Sequence, residues 1–156
     1  MTFLAAVAGV KCRGRVGPSG GGMTEVSTKD ILTKYRTVAV VGMSKDPSKD
    51  AHTVPAYLKE KGYRIIPVNP TATEILGEKA YPNLSAVPEP YDVVNIFRPS
   101  DQVGPIVDEA IRAGKAKVIW MQLGIVNETA AAKARAAGLQ VVMDRCMRTE
   151  YRFQFG

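Results

Sequence analysis

The stretch Thr37-Val38-Ala39-Val40-Val41-Gly42-Met43-Ser44 decides the fold. Five β-favouring or small apolar residues run without alternation, the pattern of a strand buried on both faces of a parallel sheet. The run breaks into Gly and then Ser, which is how such a strand hands over to a phosphate-binding turn. Gly42 permits a backbone angle or a close approach that a side chain would forbid. Lys45-Asp46-Pro47-Ser48-Lys49-Asp50 follows, polar and turn-rich, with two cations placed to meet an anion. An ordinary strand-to-loop junction would look the same over these eight residues, so the surrounding chain has to decide.

Downstream, strands and helices alternate. Val54, Tyr57 and Leu58 repeat at helical spacing, and Pro55 is tolerable there only if the helix starts near Asp50 to Thr53. Gly62 closes that helix, and Tyr63 to Val68 is a second strand ended by Asn69-Pro70. Thr71 to Pro90 is irregular, with Lys79-Ala80-Tyr81 as a brief edge strand. Tyr91 to Phe97 is a third main strand, stopped by Arg98-Pro99. Ser100 is expected to cap a helix that carries Val103, Ile106, Val107, Ala110 and Ile111 on one face and ends at Gly114. Lys117 to Met121 is a strand with Gln122 to Ile125 as its exit loop. Asn127 caps an Ala-rich helix stopped by Gly138, and Leu139 to Met143 is the last strand. Upstream, Thr28 is expected to cap a short helix over Lys29 to Tyr35.

This alternation predicts an α/β fold: a Rossmann-like, doubly wound parallel sheet in a single domain, with the first strand central and the Tyr91–Phe97 strand beside it. In such sheets ligands bind beyond the carboxyl ends of the strands, where strand order reverses. The loops that matter are then Gly42–Asp50, Val68–Thr71, Phe97–Ser100, Gln122–Val126 and Asp144–Cys146.

Composition narrows the partners. The 156 residues, 46% hydrophobic and 23% charged, suit one soluble domain. The net charge of +6 is half supplied by Lys11, Arg13 and Arg15. The rest has no basic stripe with interleaved aromatics, which argues against nucleic acid and for an anionic small molecule. Two cysteines, Cys12 and Cys146, form neither a disulfide framework nor a metal spacing, so a reducing cytoplasm is expected. Phe3 to Val10 is apolar, but no positive charge precedes it and it is too short to span a bilayer, so neither a signal peptide nor a membrane anchor is expected. Residues 1–22, rich in Gly toward their end, are expected to be a disordered extension, leaving 23–156 as the domain.

The choice of nucleotide turns on two places. The lone glycine in Gly42-Met43-Ser44-Lys45 departs from the G-x-G-x-x-G spacing of a dinucleotide binder. The second strand ends in Asn69, where an NAD enzyme would place a carboxylate for the ribose hydroxyls. A neutral Asn near Lys45, Lys49 or Arg98 suits a phosphorylated ribose such as that of coenzyme A.

Six segments in order carry a family resemblance: Val41-Gly42-Met43-Ser44, Val54-Pro55-Ala56-Tyr57-Leu58, Pro67-Val68-Asn69-Pro70, Ile96-Phe97-Arg98-Pro99, Trp120 to Ile125, and Asp144-Arg145-Cys146. Over roughly Ser27 to Gln154 the chain resembles the small single-domain CoA-binding proteins, which are similar to the nucleotide-binding domain of the succinyl-CoA synthetase α subunit. The resemblance implies that Gly42, Ser44 and Lys45 take phosphate, with Met43 among the cofactor-binding residues, and that Val68, Asn69 and Pro70 flank the nucleotide. It further implies that Phe97, Arg98 and Pro99 wall the adenine or phosphate side, and it adds Ile125 from the fourth exit loop. One departure stands out: Tyr151 occupies a place where relatives commonly carry His. The synthetase phosphohistidine lies in a second domain and is not the sole histidine here, His52, which is expected to be a helix-start residue. Cys146, beside Arg145, is either a structural cysteine or a thiol able to form a mixed disulfide with CoA. With no nucleophile–base pair, carboxylate pair or metal cluster in the sequence, a non-catalytic CoA or acyl-CoA binder is the first expectation. The alternatives are a detached acyl-CoA synthetase-like subunit needing a partner chain and, weakly, an NAD(P) oxidoreductase; a homodimer is also compatible.

Overall fold

The computed structural model describes residues 27–156. The expectations for residues 1–22 and for a domain beginning at 23 lie outside the described residues in whole or in part. Helix α1 (Thr28–Lys34) leads into strand β1 (Thr37–Val41), helix α2 (Asp50–Glu60) and strand β2 (Arg64–Val68). A two-residue hairpin, β3 (Glu74–Ile75) and β4 (Glu78–Lys79), fills the irregular region. Then come β5 (Val93–Ile96), α3 (Val103–Ala113), β6 (Val118–Met121), α4 (Glu128–Ala136), β7 (Gln140–Val142) and α5 (Met147–Phe155).

The main sheet is parallel throughout, in the order β2-β1-β5-β6-β7. Of the expected edge strand, Lys79 belongs to the hairpin and Tyr81 alone joins the main sheet. It bridges Val68 in parallel, its N–H bonding Pro67 O at 3.0 Å while its carbonyl accepts from Asn69 N–H at 2.8 Å. A short backbone contact suffices because an ion network holds the neighbourhood: Arg64 pairs with Glu78 at 2.6 Å and Glu89 at 2.8 Å, and Lys59 with Glu78 at 3.1 Å. Burial within that cluster opposes the charged form, but the bonds from Lys59 and Arg64 win and hold the Glu78 carboxyl below its usual range. β5 lies beside β1 as expected, but β1, between β2 and β5, is not the central strand: the middle strand of the five is β5. The chain runs outward from β1 to β2, then returns to the far side of β1 as β5, so strand order reverses between β1 and β5.

Each sheet face carries its own core. On one, Val103, Val107 and Ala110 of α3 and Ala130, Ala131 and Ala134 of α4 pack on Ala39, Val94, Ile96 and Ile119. On the other, Ile31 and Leu32 of α1, Val54 and Leu58 of α2, and Met147 of α5 pack on Val38, Val40, Val93 and Trp120. Alternate residues of a strand point to opposite faces, and strands apolar on both faces therefore need helices on both. The fold is a Rossmann-like α/β domain.

Three local expectations need correction. The cap of α1 is Ser27, whose hydroxyl accepts from Asp30 N–H, not Thr28. Ser100 does not cap α3: Ser100–Gln102 is a 3₁₀ turn, and the Ser100 hydroxyl accepts from Val126 N–H at 3.0 Å. Finally, residues 147–155 form a helix that the sequence pattern did not announce. It has no side-chain cap and is held by tertiary contacts, with Tyr151 edge-on to both Tyr57 and Tyr63 at 6.0 Å.

Candidate functional site

The turn after β1 is shaped by the crossing of two backbones. Gly42 donates to Val68 O at 3.0 Å while Phe97 N–H bonds Val41 O at 2.8 Å, so the exits of β2, β1 and β5 meet at one point. Gly42 sits at φ +85°, and a Cβ there would lie 2.8 Å from Arg98 Cδ and 3.0 Å from Phe97 O. The chain's own passage therefore requires the glycine, whatever else approaches it.

The loop beyond is wired peptide by peptide. Asn69 Nδ2 donates to Met43 O at 2.8 Å, tying the first exit loop to the second. Ser44 N–H bonds Ala51 O at 3.2 Å. That carbonyl is available because its regular helical donor would be the N–H of residue 55, which is proline. The Ser44 carbonyl accepts from His52 Nδ1 at 2.8 Å. Ser44 Oγ accepts from Asp46 N–H at 3.0 Å, so the hydroxyl oxygen serves the turn. The hydroxyl and the backbone N–H of Ser48 bond Asp46 Oδ1 at 2.7 and 2.9 Å and hold that carboxyl below its usual range. After this wiring, the N–H groups of Lys45, Asp50 and Ala51 have no partner among the described residues. The last two belong to the first turn of α2, whose N-cap is Lys49 with no side-chain cap. An uncapped helix start carries positive partial charge, and a lysine there adds to it.

Two of the residues that carry these donors, Lys45 and Ala51, line an open cleft of about 510 Å³ at the point of strand reversal. Six of the expected residues line it: Gly42, Met43, Ser44, Lys45, Asn69 and Phe97. Lys49, read from the sequence as a cation placed to meet an anion, lines it too, as do Asp46 and Ala51, which were not singled out. The other five stand apart from this wall. Val68 is buried and lends its carbonyl to Gly42, while Pro70 is exposed at the tip of β2. Arg98 is exposed and donates through Nε and Nη2 to Gln102 Oε1 at 3.0 and 2.6 Å. Pro99 precedes the 3₁₀ turn. Ile125 packs against the α3/α4 core, on the opposite side of the sheet from Met43. Asn69 has both ends of its amide engaged within the chain: besides the Nδ2 bond to Met43 O, Oδ1 accepts from Thr71 N–H, Thr71 Oγ1 and Ala72 N–H. It is a turn builder that leaves the tip of β2 without a carboxylate.

Sequence reasoning missed a buried polar pair next door. Asn95 is fully buried in β5, and Gln122, at the end of β6, donates to its Oδ1 at 2.6 Å. Gln122 Oε1 in turn meets Met147 N–H at 3.4 Å, fixing where α5 begins. A lone Asn in an apolar strand was the available signal. Cys146 is half-buried at the N-cap of α5 with a free thiol. Among the described residues no group of His, Cys, Asp and Glu is arranged to hold a metal, and no helix is long and apolar enough to cross a membrane.

Comparison with known proteins gives the chain's family and agrees with its fold. An uncharacterized protein of Bacillus subtilis, YneT, is 38% identical over 128 residues, covering 82% of this chain and 94% of its own length. A hypothetical protein from Pyrococcus horikoshii superposes with a TM-score of 0.81 at 38% identity, covering 90% of this chain and 100% of that one. An ADP-forming acetate–CoA ligase of Archaeoglobus fulgidus is 30% identical over 95 residues, 60% of this chain but only 14% of the ligase. The family described as "CoA binding domain" matches residues 36–152, taking in every strand, the cleft and most of α5, and the chain belongs to that family.

Proposed function

We propose that this protein binds coenzyme A or an acyl-CoA in the cleft beyond β1 and β5, in the cytoplasm, without catalysing a reaction by itself. One observation carries the reading: Lys45 and Ala51, whose backbone N–H groups have no partner among the described residues, line the cleft together with Lys49. Such a donor set fits the phosphates of CoA, since helix N-termini and free amides favour anions. Lys45 would hold phosphate, and the turn Gly42-Met43-Ser44 would meet it through the Ser44 hydroxyl hydrogen, since the Gly42 and Ser44 amides are bonded within the chain. Val68, Asn69 and Pro70 would flank the nucleotide, and Phe97, Arg98 and Pro99 would wall its adenine or phosphate side. Ile125, on the other face, would serve only a part of the ligand that passes over the end of the sheet. The absence of a carboxylate at the tip of β2 favours a phosphorylated ribose over the free hydroxyls of NAD.

The archaeal ligase match supports a second reading, in which the chain works with a partner that supplies the rest of an acyl-CoA synthetase. Co-purification from native extract separates the two: a stoichiometric synthetase-like partner supports the second, a CoA-binding chain without one the first. The direct test is calorimetric titration of the full chain with CoA, acetyl-CoA, NAD, NADP and ATP, paired with thermal unfolding. A ligand at 100 times its Kd adds about 2.7 kcal/mol of apparent stability. CoA or acetyl-CoA should raise the midpoint; stabilisation by NAD and not by CoA refutes the proposal.

A further inference from the structure

Two successive peptides in the loop after β1 are held differently. The Met43–Ser44 peptide is gripped at both ends, its carbonyl by Asn69 Nδ2 at 2.8 Å and its N–H by Ala51 O at 3.2 Å. The Ser44 amide is therefore spent and cannot serve a ligand. The Ser44–Lys45 peptide is gripped at one end only, by His52 Nδ1 on the Ser44 carbonyl at 2.8 Å. A carbonyl can only accept, so Nδ1 carries the hydrogen. All peptide bonds described are trans, and a trans peptide directs its N–H opposite to its C=O. Anchoring the Ser44 carbonyl toward α2 therefore aims the Lys45 N–H away from that helix residue, and Lys45 lines the cleft. Among the described residues nothing else accepts from this N–H.

We infer that His52 is a positioning residue: its bond to the Ser44 carbonyl turns the Lys45 amide into the cleft as a donor to a phosphate oxygen. His52 need not touch the ligand. The inference deepens the CoA reading and rests on it for the identity of the anion, but the peptide's orientation is a property of the chain alone. A helical residue one turn from the loop it serves, with its donor fixed by a backbone acceptor, gives the loop a preset donor before any ligand arrives.

The test uses the full chain labelled with nitrogen-15, following the Lys45 amide while CoA, and separately inorganic pyrophosphate, is added. In the wild type the Lys45 proton should shift downfield as either anion binds. His52→Ala should lose about tenfold in CoA affinity, the worth of one hydrogen bond, together with the Lys45 response. His52→Asn places an amide N–H where Nδ1–H stood and should restore both to within about threefold. Denaturation of the ligand-free variants separates these changes from loss of fold. A silent Lys45 amide in the wild type overturns the inference, as does wild-type affinity in His52→Ala or failure of His52→Asn to rescue. If CoA binds while Lys45 stays silent, the CoA reading survives and the role of His52 falls. If pyrophosphate moves Lys45 and CoA does not bind, the reverse holds. Should the alanine variant not fold, His52→Asn decides: retained affinity and Lys45 response support the inference, and loss of both with the fold intact overturns it.

Discussion

Replacing Gly42 with alanine should destabilise the protein even with no ligand present. The residue sits at φ +85°, where an L side chain costs about 1–2 kcal/mol. The added Cβ would also fall 2.8 Å from Arg98 Cδ, 3.0 Å from Phe97 O and 3.2 Å from Phe97 C. Arg98 is exposed and its Cδ can swing aside, but the Phe97 carbonyl belongs to backbone held by the Phe97–Val41 bond. Overpacking of this kind costs roughly 1–3 kcal/mol, and with relaxation the two effects together come to about 2–4 kcal/mol. For a chain of this length that lowers the Tm by about 4–16 °C. Urea denaturation of Gly42→Ala, Arg98→Ala and the double variant apportions the loss. Truncating Arg98 should recover under about 1 kcal/mol, because the fixed carbonyl carries most of the clash. A Gly42→Ala protein within about 0.5 kcal/mol of wild type would refute the reasoning, and so would full rescue by Arg98→Ala.

Three further outcomes follow from other contacts. Gln122→Ala strips the buried Asn95 oxygen of its donor and should cost about 2–4 kcal/mol in urea denaturation, more than Asn95→Ala adds on top of it. Burial raises the Tyr63 hydroxyl to about 12, with Leu32 O accepting its hydrogen. Because that value lies above the usual 10, the associated stability is whole below pH 10 and drains away as pH climbs to 12. The loss is up to about 2.7 kcal/mol, and it should appear as a steeper alkaline decline in wild type than in Tyr63→Phe; parallel curves would contradict it. Arg98→Ala should weaken CoA binding by roughly 1–3 kcal/mol if the guanidinium leaves Gln102 for a phosphate, measured by titration calorimetry, and unchanged affinity would remove Arg98 from the site.

What could be read from the sequence was what local chemistry dictates. The apolar run of β1, the stripe on α3, the Asn127 cap and the left-handed Gly114 all declare themselves within a few residues. Contacts between distant segments did not. Ser100 has the composition of a helix cap, yet its hydroxyl serves Val126, 26 residues on. Helix α5 has Cys146 at its N-cap and a weakly patterned run of aromatics, and its conformation is decided by Tyr57 and Tyr63 across the fold. At the cleft, the glycine turn and Asn69 were recognisable as residue types, but their duties were not. Gly42 clears the way for Phe97, and Asn69 bonds its own chain, because both depend on backbone that arrives later in the sequence. His52 was legible as a helix-start residue and Pro55 as a limit on where α2 begins, but what each does for the loop after β1 was hidden for the same reason.

The margins of the sheet restrict how copies of this molecule can associate. On the β2 side, Pro67 lacks an N–H and its carbonyl is already taken by Tyr81, while Arg64 is engaged by two glutamates. On the β7 side the last strand is three residues long and starts with an exposed Gln. A proline, a charge cluster and brevity are each devices that stop one sheet from extending into the next. Among the described residues both margins therefore work against extension of one sheet into another, and the helix surfaces and loops are the ground better suited to self-association.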